Sequence, residues 1–403
     1  MTSYTETQGT GLSSVQTTRG LPQTRLAYLD AIRGIAALIV VLHHCWSAFA
    51  PISLTSHGSF AASVTAGSAS IFAYSLDKFF EAGRAAVIIF FVLSGFVLTC
   101  SLSARPMPFK GFIIKRILRI YPAFMVVILA SYCLHYLIGN HPAATATEFL
   151  KHACHSSLSV TILVQHLLMI GTEATMRLDA VMWTLVYEMR ISLLFPAILL
   201  SVMRYRWRAV LVYFLVSVGC AVSLFFANGE IASGSNDASF AATILETGFF
   251  IVFFAAGAYL AIAREKVSIE IAKLPLWSKA LMSAATAYCI YKGVNYHDVW
   301  GTDSDYFHGL GALGVIALAI GVPRIAKALA HQIPIWLGRI SYSLYLVHMP
   351  ILYAVSQTFA KSWPPLSVAI AVVALSLLAA DLLAKTIEFP FMRLGKRLTV
   401  ETM

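Results

Sequence analysis

The stretch LDAIRGIAALIVVLHH, residues 29–44, decides how this chain is read. It is long and apolar enough to open a membrane span, yet it holds Asp30, Arg33, His43 and His44. Ionisable groups inside a bilayer are costly and mark functional sites by default. At 3.6 residues per turn, the eleven steps from Arg33 to His44 are close to three full turns, so the two share a face. His43 is rotated about 80° away. The rise is roughly 16 Å, about half the hydrocarbon thickness. Arg33 is therefore expected near the entry mouth of the span and His44 at or beyond the midplane, both lining one channel. The alternative is that Arg33 snorkels to headgroups while His44 bonds a neighbouring helix.

Composition agrees with a membrane setting. The chain has 403 residues, 59% hydrophobic and 12% charged, with mean hydropathy +0.76. Globular proteins average about 45–50% apolar and about 25% charged residues. Too little polar surface remains to coat a soluble core, which excludes a soluble enzyme, a disordered chain and a fibrous repeat. The expected fold is an all-α polytopic membrane protein with about ten transmembrane helices: 31–50, 84–102, 119–138, 184–203, 208–227, 240–262, 277–293, 305–322, 340–359 and 365–385. Residues 158–171 are apolar but too short to cross, so an interfacial or re-entrant segment is expected there. Residues 1–24 read as a disordered cytoplasmic tail, 25–397 as the transmembrane domain and 398–403 as a C-terminal tail.

Of the 29 Lys and Arg, 22 fall at the span ends on the side of the N-terminus and six on the other side. Arg190 lies within a span. The positive-inside rule then puts both termini in the cytoplasm. The net charge of +10 is spent in these short loops, so no nucleic-acid partner is expected. The six cysteines form no C-x-x-C pair and read as buried free thiols.

Three further clusters carry ionisable groups. In KRILRIYP (115–122), Arg116 and Arg119 are helix neighbours at a cytoplasmic mouth, suited to fork-like donation to phosphate or to contact with anionic lipid. In WTLVYEMR (183–190), Glu188 is expected at a depth like that of His44, where a carboxylate could orient an imidazole. In LGRISYSLYLVH (337–348), His348 reads either as a helix–helix contact or as a substrate contact. Ser94 and Gly95 allow close approach of a helix or ligand. The run KHACH (151–155), with His141 nearby, lacks the usual spacing of zinc ligands, and no metal is expected.

Those stretches, with FFVLSGFVLT (90–99) and IEFPFMRLGKR (387–397), resemble the acyltransferase-3 family of membrane O-acyltransferases in both content and order. The resemblance implies a ten-helix enzyme of a bacterial inner membrane. Such an enzyme moves an acyl group, most often acetyl from acetyl-CoA, to a hydroxyl of a cell-surface or exported polysaccharide or glycolipid. The family's Arg, ten residues, then His pattern falls on Arg33 and His44, and its R-x-x-R pattern on Arg116 and Arg119. On this reading Arg116, Arg119 and Arg33 hold the donor, and His44 is general base or acylated nucleophile. Glu188 supports the imidazole, and His348 and Ser94 contact substrate. No esterase-like soluble domain follows the bundle, so an extracytoplasmic partner protein is expected. A small lipid or metabolite acceptor is the runner-up within the class. A secondary transporter is the rival outside it, disfavoured because no internal repeat is visible.

Overall fold

Apolar runs of twenty or so residues in a solvent without water have one economical solution, a helix that satisfies every backbone amide within itself. The computed structural model describes residues 27–49, 77–104, 107–139, 149, 159–169, 178–228, 240–295, 303–360 and 362–400, and among them no strand occurs. The long helices are α1 (Ala27–Phe49), α2 (Gly83–Ala104), α3 (Phe109–Ile138), α5 (Met182–Tyr205) and α6 (Trp207–Asn228), with the short α4 (Val160–Leu167) between α3 and α5. They continue as α7 (Phe240–Lys273), α8 (Leu276–Asn295) and α9 (Asp303–Gly321). After the short α10 (Pro323–Leu329) come α11 (Gln332–Phe359) and α12 (Pro365–Leu383). A π-helical turn (Ala384–Glu388) then leads into α13 (Phe389–Val400).

Each of the ten expected spans falls on one of the long helices. Among the described residues eight helices are long and apolar enough to cross a membrane, and α8 and α11 are not among them. For α11 the reason is its place. It is packed between α1, α3 and α12, and its Ser341, Ser343 and His348 are buried. A helix surrounded by other helices needs no lipid-facing stripe and is free to carry polar groups inward. Conversely, large apolar side chains such as Leu137, Leu200, Leu215, Phe226, Leu366 and Leu382 stand exposed on the outside of the bundle, as a lipid-facing surface requires. The segment expected not to cross, 158–171, contains only the eight-residue α4 among the described residues, capped where Ser159 accepts the Ile162 N–H at 3.2 Å.

Helix pairing is set by small residues. α1 lies along α11 and α2 lies along α7. An added Cβ at Gly338 would stand 2.3 Å from the Asp30 carbonyl oxygen, and one at Gly34 would stand 2.3 Å from the Gly338 nitrogen. Likewise a Cβ at Gly95 would meet the Phe254 carbonyl at 2.1 Å. These contacts are backbone on backbone, so nothing can swing aside. Around them sits a continuous core of phenylalanines, with Phe91, Phe96, Phe124, Phe195, Phe249, Phe250 and Phe254 all fully enclosed.

Gly338→Ala is expected to destabilise the protein by about 1–3 kcal/mol, since overpacking here must push the paired helices apart. Gly219 on α6 has open space around it, so Gly219→Ala should leave stability unchanged or raise it by up to about 1 kcal/mol. Thermal unfolding of both variants in detergent checks the pair of signs.

Candidate active site

Five of the expected site residues meet around one cavity of about 130 Å³. Arg33 enters it from α1, Ser94 from α2, Arg116 and Arg119 from α3, and Glu188 from α5, with Tyr342 and Tyr345 of α11 closing the remaining wall. α3 begins ten residues before the expected span, so Arg116 and Arg119 stand well inside a helix rather than at its entry.

The arginines are not equivalent. Arg116 is buried, and its Nη2 donates to Glu188 Oε1 at 2.8 Å and to Ser192 Oγ at 2.6 Å. Ser94 Oγ donates to the same Glu188 oxygen at 3.3 Å. The carboxylate was expected to serve His44, but its partners are Arg116 and Ser94. The reason is one of placement: Glu188 faces α3 across the cavity, a pairing 72 residues apart in sequence. Arg33 has Asp30 at 3.6 Å, with that carboxylate half exposed. Three guanidiniums and one carboxylate line the cavity itself, with Glu388 buried close enough to act on Arg119 and Arg33, so the cavity offers guanidinium donors to an anionic guest.

His44 does not border this cavity. The expectation of one open channel shared by Arg33 and His44 is therefore corrected: the space stops at Tyr345. Thr184 Oγ1 donates to the Val181 carbonyl at 3.0 Å, so the 2.8 Å contact between Thr184 and the Tyr345 hydroxyl has the tyrosine as donor. Phe90 meets the Tyr345 ring edge to face, with centroids 5.6 Å apart. On the far side of Tyr345, 5.9 Å between ring centroids, stands His348. His348 Nε2 and His44 Nδ1 are 2.9 Å apart. The tandem histidines thus divide their tasks: His43 bonds the Phe80 carbonyl at 2.8 Å ahead of α2, and His44 meets α11.

The histidine meeting follows from spacing. Gly34 and Gly338 touch, and each is followed ten residues later by a histidine, in GIAALIVVLHH (34–44) and GRISYSLYLVH (338–348). In two parallel helices ten residues advance both chains equally, by about 15 Å. Both histidines therefore stand at one level, each about 80° round from its glycine, and the long imidazoles reach each other across the seam that the glycines bring close.

Charges absent from the sequence-based candidates also lie inside the bundle. Arg84, the first residue of the second expected span, forms a two-pronged pair with Asp305 of α9, at 2.8 and 2.5 Å, and lies 4.9 Å over the Trp183 ring. Arg190 turns away from Glu188 to the Thr243 and Thr247 hydroxyls of α7. Tyr187 donates to Glu246. An arginine opening one apolar run and an aspartate opening another were the available signal. Among the described residues no group of three metal-type ligands occurs, and residues 141 and 151–155 lie outside them.

A model of the acyltransferase-3 family, described as an acyltransferase domain, matches residues 26–385. The chain belongs to the acyltransferase-3 family. Relatives from Staphylococcus aureus strains COL, N315 and Mu50, each named provisionally as an O-acetyltransferase, are 22% identical over 346 residues. Those matches cover 81% of this chain and 55% of the relatives, so the chain spans about half their length. No solved structure matches it. The family match spans every residue of the cavity and both histidines.

Two tests follow from the geometry. Arg116→Met and Glu188→Leu should each cost about 3 kcal/mol by stranding a charge, while the double variant should cost less than the sum of the two. A double-mutant cycle on unfolding in detergent reads the coupling. Just ahead of α5, Asp179 is buried, its Oδ1 accepting the Val181 N–H at 3.2 Å, and burial pushes its carboxyl up to about 7. Between 3.8 and about 7 the folded protein holds a proton that the unfolded chain has released, so stability falls as pH rises through that interval. Asp179→Asn should flatten that slope in unfolding measured across the same range.

Proposed function

We infer that this protein is a membrane O-acyltransferase, taking an acyl group, most often acetyl, from acyl-CoA on the cytoplasmic side. It delivers the group to a hydroxyl of a surface or exported polysaccharide or glycolipid. The single observation that carries this reading is the arginine-lined cavity of a family member's bundle, closed at its far end by a tyrosine with a paired histidine behind it. The orientation comes from the distribution of Lys and Arg, which puts the arginine mouth inside and the histidine pair toward the outer face.

A volume of about 130 Å³ holds the equivalent of roughly four waters. That suits the narrow thioester end of an acyl-CoA, with the phosphates left at the mouth. Arg119 and Arg33 are the residues to meet those phosphates, because Arg116 is already committed to Glu188. This shifts the donor role away from Arg116, which instead holds Glu188 and the wall of the cavity.

Beyond Tyr345, the His44 imidazole is the base. A neutral imidazole has one bare nitrogen that can take the hydroxyl proton. As the acceptor oxygen attacks the thioester carbonyl, the hydroxyl proton passes to His44. The carbon–sulfur bond breaks, and the leaving thiolate takes the proton. Acylation of His44 itself, followed by transfer to the hydroxyl, uses the same residues. Either route requires Tyr345 to move or the acyl group to pass beside it. Ser94 remains a residue expected next to the substrate, whereas both ring nitrogens of His348 are committed, to His44 and to the Leu344 carbonyl. A partner protein on the outer side belongs to this reading.

His44→Ala should abolish acyl transfer while the protein remains folded. Arg119→Gln should raise the KM for acetyl-CoA by about tenfold, as loss of one charge-assisted contact of about 1.4 kcal/mol implies. The assay is mass spectrometry of surface glycans from cells that carry no copy of the gene or one of these variants, alongside thiol release from acetyl-CoA by purified protein. Wild-type acylation in the His44→Ala cells would refute the reading.

A further inference from the structure

The hydrogen-bond pattern around the two facing histidines fixes which nitrogen of each carries a proton. His348 Nδ1 lies 3.2 Å from the Leu344 carbonyl oxygen, one turn back on α11. A carbonyl only accepts, so Nδ1 is the protonated nitrogen of His348. In a neutral ring Nε2 is then bare and accepts. Its neighbour at 2.9 Å is His44 Nδ1, which must therefore carry its own proton and donate.

Ring geometry agrees. The two planes lie within 7° of parallel with centroids 5.1 Å apart. At that separation near-parallel rings linked by a 2.9 Å N···N contact lie edge to edge, so the N–H points along its own plane at the facing lone pair. Among the described residues neither ring is bonded to a carboxylate that would charge the pair. Among the described residues no hydrogen bond to His44 Nε2 occurs. With Nδ1 protonated, the neutral ring leaves Nε2 bare.

We propose that His348 is a positioning residue that accepts the His44 Nδ1–H, holding His44 in the tautomer whose free Nε2 faces the acceptor hydroxyl. This rests on the acyltransferase reading for its chemistry but not for its geometry. In many hydrolases a buried carboxylate orients the base histidine. Here a second imidazole does so without bringing a further charge into the bilayer, and the carbonyl of its own helix fixes its tautomer in turn. The chain Leu344 carbonyl, His348, His44 is one-directional, and no flip of either ring preserves both contacts.

The test has two readouts. In 15N-histidine-labelled protein in lipid, with the His44 signals assigned by their loss in His44→Gln, nitrogen NMR should find Nδ1 protonated and Nε2 bare in the wild type. His348→Phe keeps a ring without an acceptor, and His44 should then shift to a mixture or to the Nε2–H form. His348→Gln supplies a carbonyl and should restore the wild-type pattern. Kinetically, His348→Phe should lower kcat for acyl transfer from acetyl-CoA by about a hundredfold with KM within about twofold, and His348→Gln should recover at least tenfold of that loss. A wild-type His44 protonated on Nε2, or an unchanged kcat in His348→Phe, overturns the proposal. An inactive wild type with the expected tautomer would instead refute the acyltransferase reading and leave the positioning geometry standing.

Discussion

The backbone contact between α1 and α11 at Gly34 and Gly338 is the constraint on which the rest of the site depends. Two helices some 300 residues apart in sequence approach until only hydrogen can separate them. That contact sets their register. Because Arg33 adjoins one glycine and the two histidines lie ten residues beyond both, one contact places a guanidinium at the cavity and an imidazole pair beyond it. A membrane interior gives little hydrophobic reward for helix association, so close packing of small residues has to carry it. The site is a by-product of how these two helices find each other.

Electrostatics follow the same economy. Charges in the bundle interior are matched by specific partners: Arg116 by Glu188, Arg84 by Asp305, and Arg190 by threonine hydroxyls. Removing water from an ion raises its cost by several kcal/mol, and the pairings offset that cost. Arg33 and Arg119 are held less directly, Arg33 by the half-exposed Asp30 at 3.6 Å and both by the field of the buried Glu388. At the other end, the histidines solve the same problem by staying neutral and bonding each other.

How much was legible beforehand depends on range. The helical spans could be read because apolar runs of membrane length admit one backbone solution. The shared face of Arg33 and His44 was visible because it depends only on helix period. Ion-pair partners were not visible: Glu188 could have served His44 or Arg116, and only the packing of α3 against α5 decides. The barrier at Tyr345 was hidden for a similar reason, since a tyrosine in an apolar run says nothing about what lies on either side of it. The repeated spacing from Gly34 to His44 and from Gly338 to His348 is plain in the sequence. It acquires meaning once the two helices are known to be parallel and adjacent. Helix α11 falls below the apolarity of the others because it is enclosed by other helices and carries buried serines and a histidine.

On this view donor and acceptor meet from opposite faces of the bundle, with the arginine mouth and the histidine pair at its two ends. The decisive measurement uses protein reconstituted into sealed vesicles in uniform orientation. Acetyl-CoA labelled in the acetyl group is supplied only at the arginine mouth, and membrane-impermeant glycan acceptor only on the histidine side. Labelled acceptor should then accumulate on the histidine side, with unlabelled CoA left where the donor was added. Labelling that occurs only when donor and acceptor share one compartment would rule out transfer across the bundle.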